Sequence, residues 1–300
     1  MKVFVTGATG ALGRAAVRAL LTDGHEVSGL ARSEIKARLL EEAAVVPVTA
    51  DVFDLAAMTS ALAGHDAVCN LVTSMPVGLA SLRPSSWKNN DSVRAVGSRV
   101  VAAAARAAGV RQLVQESVSL MYADGGDSWI DESSPVCVTR AVEPAAVAET
   151  ATTDFADRWG QPVILRFGNL MGDDPMTRWR LGRARAGRPV GLGDPQGWAH
   201  VVHLDDAGRA VAAALTARGG VYNVGAEPVR RDVLARVLAA AAGRSEARFL
   251  PSWAVKLAGE RLEPFTRSHR VSSGKLHEAT GWKPEYEAFD SSWLPDAVTT

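Results

Sequence analysis

A doubly wound parallel α/β sheet is the fold this sequence predicts, from three observations. Apolar runs of strand length alternate with helix-length segments through the first half of the chain, as βαβ units require. The first run breaks at once into glycines spaced by three, Thr6-Gly7-Ala8-Thr9-Gly10-Ala11-Leu12-Gly13. After Gly168 the composition shifts towards Gly, Pro and Arg, so the sheet is expected to carry a small, mainly helical C-terminal lobe on the substrate side.

Strands are predicted over residues 3–6, 26–31, 45–49, 67–72, 112–117 and 162–167. The helices between them show apolar residues at helical spacing, such as Val93, Val96, Val100, Ala104 and Ala107, or Val147, Ala151, Phe155 and Trp159. Right-handed crossovers then place a ligand crevice at the C-terminal ends of the strands. The chain is expected to return to the sheet near Val201-Val202-His203-Leu204-Asp205-Asp206, with a helix running on through Leu215, and again near Val221-Tyr222-Asn223-Val224. Residues 1–170 with about 200–225 therefore form the expected nucleotide-side domain, and about 171–199 with 226–300 the smaller lobe.

The glycine turn has a specific chemistry. Gly7 permits the turn, Gly10 lets backbone N–H groups approach phosphate without an intervening Cβ, and Gly13 lets the helix lie against the strand. The helix dipole adds attraction for the phosphate charge. This arrangement holds a dinucleotide pyrophosphate, with Gly7, Thr9, Gly10, Ala11, Leu12 and Gly13 as its contacts.

Composition narrows the partners. The 300 residues are 47% hydrophobic and carry 33 basic and 33 acidic side chains, which suits a globular chain and argues against broad capture of nucleic acid or anionic membrane. No apolar stretch approaches a membrane span, since the alanine-rich run after Val100 contains Arg106. Cys69 and Cys137 stand far apart, without disulfide or metal spacing, and no metal site is expected. With a strand at the start in place of an export signal, the expected compartment is the cytoplasm.

The glycine turn, Ala50-Asp51-Val52, the 117–122 strand end, Leu165-Arg166-Phe167-Gly168-Asn169, Val202-His203-Leu204-Asp205-Asp206 and Gly281-Trp282 together resemble the extended short-chain dehydrogenase/reductase superfamily. That is the Rossmann-type fold of sugar-nucleotide epimerases and dehydratases, and the resemblance covers nearly the whole chain. It implies that Asp51 and Val52 meet the adenine, that Leu71 and Val72 pass the nicotinamide ribose, and that Phe167 approaches the nicotinamide. Where NAD-selective relatives place an acid at the end of the second strand this chain reads Leu30-Ala31-Arg32-Ser33. An arginine there pairs a 2′-phosphate, with Arg14 and Lys36 in support, so NADP is the expected cofactor.

The resemblance fails at one place. Relatives that move hydride use Tyr-x-x-x-Lys, yet Tyr122, Tyr222 and Tyr286 are followed four residues later by Gly126, Ala226 and Asp290, and no lysine occurs between Lys88 and Lys256. Alignment on Glu149 puts Ala141 and Ala145 at the two positions, and Val118 at that of the usual serine. Replacement chemistry rests on position alone. Tyr122 and Ser117 are the candidate catalytic residues, with Ser119, Glu116, His200 and the Asp131-Glu132 loop behind them. Arg178, Arg180, Arg183, Arg185 and Arg188 suit either an anionic substrate or a solvated helix face, and Trp179 and Trp198 suit an aromatic wall.

The expected activity is an NADP-dependent reduction of a small carbonyl or conjugated substrate with a non-standard proton donor. A redox-neutral epimerase, dehydratase or isomerase, and a non-catalytic NADP sensor, remain open alternatives. A homodimer through helices at 91–109 and 141–159 is implied by the resemblance.

Overall fold

The computed structural model describes residues 1–78, 80, 83–156 and 160–295; Trp159 and the last five residues of the expected lobe lie outside them. Seven parallel strands form the centre: β1 (Lys2–Thr6), β2 (Glu26–Ala31), β3 (Val46–Thr49), β4 (Ala67–Asn70), β5 (Gln112–Val118), β7 (Gln161–Phe167) and β11 (Gly220–Val224). Their order is β3-β2-β1-β4-β5-β7-β11, so the chain winds outward in both directions from β1.

Successive side chains of a strand point to opposite sides, and helices cover both faces of the sheet. Val3 and Val5 of β1 pack with Leu12, Ala16 and Leu20 of α1 (Ala11–Thr22) and with Ala207 and Val211 of α8 (Leu204–Ala213). Phe4 between them packs on the other face with Met58 and Leu62 of α3 (Leu55–Leu62) and with Val101 of α5 (Ser98–Ala107). Helix α2 (Glu34–Glu42), capped by Ser33, contributes Leu40 to the first face.

Before α5 the chain runs through α4 (Lys88–Ser92) and a π-helical segment, Val93–Gly97. The extra residue per turn rotates the expected apolar stripe: Val93 and Arg94 are buried, while Val96 is 47% exposed. In α6 (Glu143–Thr153) the buried face is Ala145, Ala148, Glu149 and Thr152, offset from Val147 and Ala151.

The second half departs from expectation at one strand. β10 (Val201–His203) pairs in parallel with β8 (Asn169–Met171), outside the seven-stranded sheet, and only β11 returns to it. Two short pairings complete the strands: β9 (Trp198–Ala199) with β12 (Val229–Arg230), and β6 (Trp129–Ile130) with β13 (Arg270–Val271). A separate apolar core joins Met171, Leu181 of α7 (Pro175–Arg185), Leu238 of α9 (Arg231–Ala241), Phe289 and Trp293. Helices α10 (Ser252–Ala258) and α11 (Gly274–Thr280) follow.

Asp206 ties the C-terminal segment to α8. Its carboxylate accepts from the backbone N–H groups of Glu285 (2.9 Å) and Tyr286 (3.0 Å), and its carbonyl from Trp282 Nε1 (3.2 Å). His203 stacks on Tyr286 with ring centroids 3.7 Å apart, so the Val-His-Leu-Asp-Asp segment has an architectural role. No helix among the described residues is long and apolar enough to cross a membrane.

Helices α1 and α8 meet where a Cβ on Gly208 would stand 2.4 Å from the Ala15 carbonyl carbon. Gly208→Ala is therefore expected to lower unfolding stability by about 1–3 kcal/mol in urea titration. An unchanged midpoint would mean that the two helices separate without cost.

Candidate functional site

The C-terminal ends of β1 and β4 build the first half of the site. Gly7 has φ +68°, and a Cβ there would lie 2.7 Å from the Leu71 carbonyl oxygen. A Cβ on Gly13 would lie 2.0 Å from the Gly7 oxygen, so strand end and helix start touch through bare backbone. Gly10 is the N-cap residue of α1, with no side-chain cap and no acid in the first turn, and the helix N-terminus keeps its positive end for an anion. This cradle fits a pyrophosphate. Thr6 Oγ1 holds the neighbouring strand by donating to Asn70 Oδ1 (2.6 Å) and accepting from the Leu71 N–H (3.2 Å).

The other cofactor candidates surround this cradle. Arg32 is exposed just beyond β2, and its charge, after partial burial, holds the Lys36 ammonium below its usual range. The Ser33 hydroxyl caps α2 through Lys36 N (3.4 Å). Asp54 caps α3, whereas Asp51 is exposed and its carboxylate accepts from the Phe53 N–H (3.0 Å). Val52, Leu71 and Phe167 are buried, while Val72 is half-buried. Arg14 donates to the Thr9 carbonyl (2.9 Å).

Tyr122 and Ser117 lie behind the strand ends. Tyr122 is 0% exposed and donates to Asn223 Oδ1 (2.8 Å), and burial raises its pKa, so it stays a phenol. Ser117, equally buried, donates to Glu149 Oε1 (2.6 Å). Glu149 accepts both Nε (2.9 Å) and Nη2 (2.7 Å) of Arg166, whose guanidinium sits 4.9 Å from the Tyr122 ring centre. This buried pair was not singled out from sequence, where Glu149 served only to align the chain.

A cleft opens beside the end of β5. Val118, Ala141 and Ala145, the positions aligned with the missing serine, tyrosine and lysine, all line it, together with Leu120, Val142 and Met75. Trp87 and Phe265 add aromatic surface. Its polar groups are Asn90, Arg94 and Arg261. Arg94 donates to the buried Glu116 (2.6 Å) through Nη2 alone. Burial raises the Glu116 pKa and the Arg94 charge opposes that shift. Neither Tyr122 nor Ser117 lines this cleft.

The remaining candidates have local partners. His200 Nδ1 bonds Ser119 Oγ (2.9 Å), Asp131 holds the Ser133 and Ser134 hydroxyls, and Glu132 accepts the Asn223 N–H (2.7 Å). Arg178 pairs with Asp173, Arg183 reaches the Pro189 carbonyl, and Arg180 reaches Met171 Sδ. Trp198 lies under Arg230 and Arg270, outside the cleft.

Two predictions follow from the buried groups. Glu149→Ala leaves Arg166 buried without its carboxylate and should cost about 3–5 kcal/mol of unfolding stability; a loss below 1 kcal/mol would contradict the buried pair. Burial also pushes His200 down to about 3 and His269 to about 4, against an ordinary 6.5. The unfolded chain then binds protons that the folded chain refuses. The resulting stability is full above pH 6.5 and is lost as pH falls towards 4. The unfolding free energy from urea titration should drop between pH 7 and 5, by roughly 2 kcal/mol per histidine, and His269→Gln should flatten the slope.

Residues 3–225 match the NAD dependent epimerase/dehydratase family. A 3-diazoavenalumate denitrifying reductase from a Streptomyces species is 31% identical over 96% of this chain and 98% of its own. A 2-alkyl-3-oxoalkanoate reductase from Stenotrophomonas maltophilia is 27% identical over 89% of this chain and 84% of its own. Among solved structures, DesIV, a dTDP-glucose 4,6-dehydratase from Streptomyces venezuelae with NAD bound, superposes with a TM-score of 0.78 at 20% identity, covering 95% of this chain and 92% of the other. The UDP-glucose 4-epimerase of Thermotoga maritima gives 0.76 at 19%, covering 95% and 94%, a likeness of fold. The intact glycine cradle, the seven-stranded parallel sheet and these matches agree: the chain belongs to the NAD dependent epimerase/dehydratase family.

Proposed function

We propose that the chain is an NADP-dependent reductase acting on a small carbonyl or conjugated substrate, with the proton drawn from water in the cleft. The observation that carries this reading is the cleft itself, where Val118, Ala141 and Ala145 stand in place of acid–base groups in a chain whose glycine cradle is intact. The two reductase-named relatives support it.

In this reading Gly7, Thr9, Gly10, Ala11, Leu12 and Gly13 hold the pyrophosphate. Asp51 and Val52 flank the adenine, while Leu71, Val72 and Phe167 lie along the nicotinamide riboside. Arg32, exposed where an acid would select NAD, takes the 2′-phosphate with Lys36. The bound cofactor supplies hydride. Tyr122 and Ser117 are positioning residues, because the phenol is committed to Asn223 and the serine to Glu149. An acceptor such as the diazo acid in the Streptomyces relative's name suits such a site: hydride adds to carbon, N₂ leaves with the C–N bonding pair, and the anion that results takes its proton from water rather than from a protein acid. Transient oxidation of a sugar hydroxyl, by contrast, requires a base within reach, and no carboxylate or imidazole lines the described cleft.

Calorimetric titration tests the cofactor. Wild type should bind NADPH at least tenfold more tightly than NADH, and Arg32→Ala should weaken NADPH about tenfold while leaving NADH unchanged. Equal affinities in wild type would overturn the NADP preference, and absence of dinucleotide binding would overturn the whole reading. Tyr122→Phe tests the proton step: kcat should stay within about threefold of wild type, with about 1 kcal/mol lost from stability. A fall of about a hundredfold in kcat would return the phenol to the role of donor.

A further inference from the structure

We infer that the cleft beside β5 is a binding site for a planar aromatic carboxylate, an assignment of substrate class that rests on the reductase reading above. Its apolar wall disfavours the sugar that the fold alone suggests. Val118, Leu120, Ala141, Val142 and Ala145 offer no hydrogen-bonding side chains, so hexose hydroxyls laid against them would be desolvated without partners. An aromatic ring loses nothing there. Trp87 and Phe265 give it aromatic neighbours.

The polar groups select the charge of the ligand. Arg94 is almost fully buried and lines the cleft, and the side-chain bond it makes among the described residues, to Glu116, uses Nη2, so that Nε and Nη1 remain as donors. Arg261 lies 5.9 Å from the Trp87 ring centre, and its carboxylate neighbour Asp91 stands at 3.8 Å, a loose pairing for a guanidinium. Asn90, also buried, accepts from the Ser74 N–H (3.2 Å) through its carbonyl oxygen, which leaves the amide nitrogen as a further donor. Two guanidinium groups and a carboxamide lining a cleft that is otherwise apolar and aromatic suit a carboxylate on an aromatic frame. The π-helical turn at Val93–Gly97 makes this possible, since it is the turn that carries Arg94 inward.

The test is calorimetry on the NADP⁺-loaded protein with three probes: 4-hydroxycinnamate, its uncharged amide, and UDP-glucose. The carboxylate should bind, the amide about tenfold more weakly, and UDP-glucose without measurable heat. Arg261 is half-exposed, so Arg261→Ala should leave the fold and the NADPH affinity unchanged while removing the difference between carboxylate and amide. Ala141→Phe should fill the slot and abolish binding of both aryl probes, again with NADPH affinity retained. UDP-glucose bound in preference to the aryl acid, or no aryl binding by a protein that binds NADPH, would overturn the inference and leave the cofactor reading standing. Aryl binding by a protein that fails to bind NADPH would support the slot and overturn the reductase reading.

Discussion

Gly7 and Gly13 bring strand β1 and helix α1 closer than any Cβ-bearing pair allows, and the site is arranged around that contact. The position of a Gly13 Cβ falls 2.0 Å from the Gly7 oxygen, and that of a Gly7 Cβ falls 2.7 Å from the Leu71 oxygen on the next strand. Three backbone segments therefore meet without side chains between them. The consequence is a helix N-terminus set at the crevice between β1 and β4, without a side-chain cap and with no acid in its first turn. Such a terminus suits an anion through its backbone N–H groups alone.

A buried polar layer behind this crevice keeps the strand ends in register. Asn70 accepts from Thr6 and donates to Ser98 (3.0 Å) and Gln115 (2.8 Å), joining β1, β4, β5 and α5. On the other side of β5, Ser117, Glu149, Arg166 and Tyr122 form a second connected set that reaches Asn223 on β11. Each member is satisfied by another, which makes the layer a rigid support rather than a reservoir of exchangeable protons. None of these residues lines the cleft, whose walls are apolar apart from Asn90, Arg94 and Arg261.

Much of this was legible in the sequence where local pattern and tertiary role coincide. Strand-length apolar runs located the central sheet to within a residue or two, because strands covered on both faces are largely apolar. The glycine spacing located the cradle, since only a missing Cβ permits the contact. The β4 strand was expected to run to Val72 but stops at Asn70, where the chain leaves the sheet to bond Thr6. β10 reads as a sheet strand by composition, yet it pairs with β8 because β11 already occupies the edge beside β7. The π-helical turn was invisible, since a spacing rule built on 3.6 residues per turn assigns Val96 to the core and leaves Arg94 outside. Glu149 and Arg166 are far apart in sequence, and no local signal marks them as a pair. Tyr122 drew attention as a phenol near a strand end; its burial depends on Ile130 and Val271, brought in by the β6–β13 pairing.

The central claim, that backbone at the β1–α1 turn holds the dinucleotide, is tested most directly by hydrogen exchange of the wild-type amides with and without NADPH. The account predicts slowed exchange concentrated at residues 7–14, with smaller effects at 31–33 and 71–72. Unchanged exchange at 7–14 in a protein that demonstrably binds NADPH would contradict it.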